Sequence, residues 1–166
     1  LAAMLGLPYA FASHFAPDAL MPALAVYRDR FESSVQSQKP HAMAGVNVIA
    51  ADTDAEARHL LTSLQMRFTD MVRGARVLMK PPIDDIDAYW TAPEKAQVQR
   101  MLACTFAGSP ETLRRELPAF IARTGCDELM VAAAVYDHAA RLKAEAESRR
   151  RAEEEARVDH AGNVEH

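Results

Sequence analysis

The stretch AGVNVIAADT, residues 44–53, decides how this chain is read. From Ala44 to Ala51 it is apolar and partly β-branched, with Asn47 the one polar residue, which is how a strand reads when both faces of a parallel sheet are covered. Asp52 or Thr53 then stands where a helix cap belongs. Ala57, Leu60, Leu61, Leu64, Phe68 and Met71 follow at helical spacing, with Asp54, Glu56, Arg58 and Arg67 assigned to the water side. A strand running straight into a long amphipathic helix is one unit of an alternating α/β chain.

Upstream, PYAFASHF (Pro8–Phe15) is a short apolar and aromatic run between Gly6 and Pro17, and it predicts a first buried strand. Asp18 is the expected N-cap of a helix carrying Leu20, Leu24, Tyr27 and Phe31, with Pro22 near its first turn, where a missing N–H costs least. Downstream, Pro81, Pro82 and Pro93 and the acidic Asp84, Asp85 and Asp87 beside Tyr89 and Trp90 exclude a single regular element over residues 74–93. A long connection is expected there, of the kind that often serves as a lid, followed by a helix over 94–104. Ser109, Pro110 and Glu111 mark a helix start and Gly125 its end. Leu129–Val135 reads as the third strand. Strand and helix alternate, which implies parallel crossover connections. Residues 143–157 hold five basic and five acidic side chains and almost no apolar face; with the rest of 143–166 they read as a charged tail, helical or disordered, behind one domain over 1–142.

Composition narrows the function. With 166 residues, 49% hydrophobic and 25% charged, the chain has room for one soluble domain. A net charge of -4 argues against a nucleic-acid partner, which needs a clustered basic face. No apolar run reaches the roughly 18 residues of a membrane span, and Leu1–Phe15 lacks the basic start of a signal peptide, so the cytoplasm is the expected compartment. Leu1 in place of Met is read as a sign of processing, trimming or a truncated reading frame. Cys104 and Cys126 read as buried thiols. His41, His59 and His138 share no ligand spacing, and the three aspartates lack a calcium-loop pattern, so no metal is expected. There is no GxGxxG, P-loop or GxSxG.

GLPYAFASHFAP (6–17), AGVNVIAADT (44–53), GSPET (108–112) and TGCDELMV (124–131) together resemble the luciferase-like monooxygenase family, over residues 1 to about 142. The resemblance implies a (β/α)8 barrel with reduced FMN at the carboxyl ends of its strands. This chain would then be a partial TIM barrel, the last three strand–helix units, strands six to eight. A whole barrel takes about 250 residues, and the segment that holds the flavin phosphate would end just before Leu1. Also implied are a flavin reductase supplying reduced FMN and a small organic substrate that receives one atom of molecular oxygen while the other leaves as water. A homo-oligomer is left open. Two alternatives stand beside this reading: a deazaflavin-dependent oxidoreductase of the same superfamily, and a non-catalytic truncated remnant.

Ser13 and His14, at the carboxyl end of the first strand, are the leading site candidates, with His14 as the catalytic residue and Ser13 as a flavin contact. Phe11 and Phe15 are candidates for the apolar wall beside the flavin ring. Each has a plainer reading: a satisfied buried imidazole, a small packing residue, and core aromatics. Ser109, at a helix N-terminus, can be an anion site or a simple cap.

Overall fold

The computed structural model describes residues 1–137 and Leu142; the expected tail over 143–166 lies outside them. In chain order the elements are β1 (Tyr9–Phe11), α1 (Leu20–Asp29), β2 (Ala42–Ala50), α2 (Asp54–Val72), α3 (Ala92–Met101), β3 (Thr105–Gly108), α4 (Pro110–Thr124) and β4 (Glu128–Ala132). All pairings are parallel, and all are made with β2.

The pairing register shows how one strand serves three. Ala42–Ala44 pair with β1 and Asn47–Ala50 with β3, while Met43–Asn47 pair with β4. Asn47 has partners in both β3 and β4, so those two strands lie on opposite edges of β2. Tyr9 N–H reaches the His41 carbonyl, and the N–H groups of Asn47 and Ala51 reach Cys104 and Gly108. These odd-numbered residues all face one edge, because alternate residues of a parallel strand bond to alternate sides. β1 and β3 therefore follow one another along the same edge, and β4 takes the other. Among the described residues neither β1 nor β4 has a second partner.

The two faces of the sheet are covered differently. Ala42, Ala44, Val46, Val48 and Ala50 alternate onto one face and pack with Leu20, Leu24 and Tyr27 of α1 and Leu113 and Phe120 of α4. Ile49, on the other face, packs with Leu64, Phe68, Trp90 and Val98. Tyr27 ties α1 to the start of the sheet: its hydroxyl donates to the Leu7 carbonyl (2.9 Å) and accepts the His41 N–H (3.1 Å). Arg28 donates to the Thr124 carbonyl (3.0 Å) at the end of α4, where its charge suits the helix dipole. Gly125 ends that helix with φ +60°, a left-handed value open to glycine at no steric cost.

The strands and helices expected over 44–51, 54–71 and 110–124 are present, with shifted ends. Several expectations are corrected. The sheet has four strands rather than three, because Thr105–Gly108 adds to the free half of β2's edge. The first strand stops at Phe11, since Ser13 N–H bonds the Phe11 carbonyl and turns the chain. Asp18 caps nothing; it sits inside a 3-10 turn, Pro17–Ala19, that leads into α1. On α2, Met71 is exposed, while Thr62, Ser63, Thr69 and Asp70 are buried. The cause is the 75–91 connection, which folds over that polar stripe: Ile83 N–H donates to Thr62 (2.9 Å) and Tyr89 donates to Asp70 (2.7 Å).

Leu24 is wholly buried and Val35 wholly exposed. Leu24→Ala is expected to cost about 2–5 kcal/mol of stability, and Val35→Ala less than about 0.5 kcal/mol. Urea unfolding followed by circular dichroism measures both.

Candidate functional site

The candidate site forms where β1 stops and β3 has not yet begun. Gly45 falls in that gap, after the last residue paired with β1 and before the first paired with β3. Its carbonyl faces the vacated edge and accepts the Ser13 hydroxyl at 2.6 Å, so a side chain replaces the missing strand donor. Ser13 is fully buried. Cys104 lies alongside; burial pushes its thiol up, against smaller opposing pulls from the Ser13 hydroxyl and Arg123. A thiol shifted that way stays protonated and is a poor nucleophile.

His14 follows on the next step of the turn. Its ring lies over Gly45 and 4.2 Å from the ring of Phe15, and its Nδ1 is buried without a hydrogen-bond partner among the described residues. Phe15 is 67% exposed and borders an open groove of about 370 Å³ with Pro17, Gln97, Arg100 and Met101. Phe11 goes elsewhere: it shares a face with Tyr9 and packs in the cluster of Leu24 and Tyr27. The turn thus brings Ser13, His14 and Phe15 together and leaves Phe11 on the side of α1.

Ser109 caps α4, accepting the Thr112 N–H. The same helix start is filled by a carboxylate from within the chain. Asp54, at the first position of α2, accepts the Ser109 N–H at 2.7 Å and the Thr112 hydroxyl at 3.0 Å. These bonds, the Ser109 N–H foremost, hold the Asp54 carboxyl below its ordinary range. The residue assigned to water is therefore a tie between β2–α2 and β3–α4. Gly108 makes room for it, since a Cβ there would stand 2.6 Å from Thr112 and 3.1 Å from Asp54.

A second polar group fastens the connection after α2. Burial raises the Asp70 carboxyl, but Lys80 (2.9 Å) and the Tyr89 hydroxyl outweigh it and hold it below its ordinary range. Arg73 forks onto Glu94 (2.7 and 3.0 Å), and Glu94 also accepts the Thr91 N–H (2.7 Å) to cap α3. The three aspartates of the connection remain exposed, and Asp87 accepts from Trp90 (2.8 Å) and Lys95 (2.6 Å). Sequence reasoning passed over Gly45, Asp54 and Asp70. Only the first carried a signal, a glycine inside a strand, which marks close approach by another group.

The class the structure defines is an α/β fold built on a parallel sheet. Comparison with known proteins places it more narrowly. The chain is 44% identical over 142 residues to a luciferase-like monooxygenase of Escherichia coli (strain K12), covering 86% of this chain and 42% of that protein. It is 46% identical over 143 residues to the uncharacterized protein YvbT of Bacillus subtilis (strain 168), covering 86% of this chain and 43% of that one. Among solved structures, apo-MsnO8 superposes with a TM-score of 0.73 at 29% identity, over 88% of this chain and 45% of that one. No family model matches. The chain belongs to the luciferase-like monooxygenase family, and it spans a little over two fifths of the length of the curated relatives it matches. No helix of the described residues is long and apolar enough to cross a membrane.

Two predictions test these ties. Ser13→Ala leaves the Gly45 carbonyl without its donor and is expected to cost about 1–3 kcal/mol in urea unfolding. Glu94 is lowered from 4.5 to about 2, first by Arg73 and then by Thr91. A depressed carboxylate stabilises the fold above its unfolded value and loses that contribution as pH falls through the folded one. Glu94→Gln should therefore be less stable than the parent at pH 7, with the gap closing between pH 4.5 and about 2 in thermal melts.

Proposed function

We propose that this chain supplies the closing strands of a (β/α)8 barrel in a flavin-dependent monooxygenase that inserts one oxygen atom into a small organic substrate. The observation that carries the reading is the pair of open outer strands: among the described residues β1 and β4 each bond to β2 alone. A parallel barrel has no edges, so both are suited to further strands. β1, β2 and β4 then correspond to strands six, seven and eight. β3 is an extra short strand beside the seventh.

The residues at the end of β1 suit a flavin. Phe15 offers an exposed aromatic face beside the groove, and the His14 ring lies 4.2 Å from that of Phe15. The flat face of a flavin ring suits such an aromatic border. Ser13 fixes the turn, Phe11 supports it from the α1 side, and His14 is assigned to hold or move a proton at its ring. Reduced FMN, when bound, supplies the reactivity toward oxygen. The chain's own work is to orient the ring and exclude water. A reductase delivering reduced FMN and the cytoplasm as its setting belong to the same proposal.

With reduced FMN, oxygen and a long-chain aldehyde, the 166-residue chain alone is expected to give no turnover, whereas a chain extended upstream by the remaining barrel units oxidises the aldehyde. In the extended enzyme His14→Ala should lower kcat by about 100-fold or more, with FMN binding, followed by fluorescence quenching, changed little. An extended enzyme that leaves the aldehyde untouched overturns the activity; full turnover by the His14 variant overturns the role of that residue.

A further inference from the structure

We infer that Gly45 is the positioning residue of the site at the end of β1, its carbonyl anchoring Ser13 and its bare Cα seating the His14 ring. The inference rests on the proposed role of that turn and adds a residue from a different strand. Two independent features of Gly45 meet there. Its carbonyl lies in the gap between β1 and β3, so the hydroxyl of Ser13 reaches it at 2.6 Å with no strand in the way. Its missing side chain leaves room for the neighbouring imidazole: a Cβ on residue 45 would stand 2.3 Å from His14 Nδ1 and 2.8 Å from Cε1.

A Cβ essentially never comes within 3.0 Å of a non-bonded heavy atom, so any larger residue must displace the ring or the strand. The ring is the part free to move. Among the described residues Nδ1 has no hydrogen-bond partner, so that side of the imidazole is held there by shape, between Phe15 and the backbone of β2. Gly45 is itself buried and pairs with Met130 on its other edge. The strand is therefore fixed from the far side, and the cost of a methyl group falls on His14. Position 45 sets where the imidazole sits, although residue 45 has no chemistry of its own.

The test compares Gly45→Ala, His14→Ala and the double variant in the 166-residue chain, by urea unfolding and by the NMR signals of the His14 ring. Gly45→Ala should shift the His14 ring resonances and abolish the NOE between ring and residue 45, while NOEs between Ala44 and Leu129 persist. The two substitutions should be coupled by about tenfold in the folding equilibrium constant, with His14→Ala relieving the loss caused by the methyl group. If Gly45→Ala does not fold, recovery of folding in the double variant supports the inference and failure to recover overturns it. Additive effects, or an unmoved His14 ring in Gly45→Ala, also overturn it. None of these readouts needs flavin, so they fail or succeed separately from the proposed activity.

Discussion

The hydrogen bonds of one strand organise the structure. β2 offers its odd-numbered residues to one edge and its even-numbered residues to the other, and every other strand depends on that offer. β1 and β3 are three and four residues long, too short to hold a sheet together themselves. They persist because they share a partner that is nine residues long and packed on both faces. The candidate site is a by-product of this economy. Two short strands placed end to end leave a gap, and the turn carrying Ser13 and His14 fills it.

What was legible in the sequence was local. Ser109 and Gly125, and a cap at Asp52 or Thr53, were readable as helix ends because caps act within three or four residues; Thr53 is the one that caps α2. β2 was readable because an apolar run of that length has few other fates. β3 was hidden because four residues give no periodicity, and only the free half of β2's edge makes Thr105–Gly108 a strand. The polar stripe of α2 was hidden for a similar reason. Thr62 and Asp70 look like water-facing residues until the 75–91 connection covers them, and that pairing spans about twenty residues of chain.

The site was half legible. Ser13 and His14 stood out because the end of a parallel strand is where such folds place their reactive groups. Phe11 and Phe15 looked equivalent in sequence, yet the chain turns between them, so one packs under α1 and the other borders the groove. The strand ends at Phe11, and alternation cannot be followed through a turn. Gly45 and Asp54 act across 32 and 55 residues, separations at which one sequence carries no pairing information.

Asp54, reaching from α2 to the start of α4, has a bearing on selectivity. A carboxylate tethered beside a helix start competes with dissolved anions at an effective concentration that a free ion does not reach. Sulfate, phosphate or an organic acid arriving there would have to evict a group that is already paid for in entropy by folding. The start of α4 is thereby less open to dissolved anions than a bare helix start.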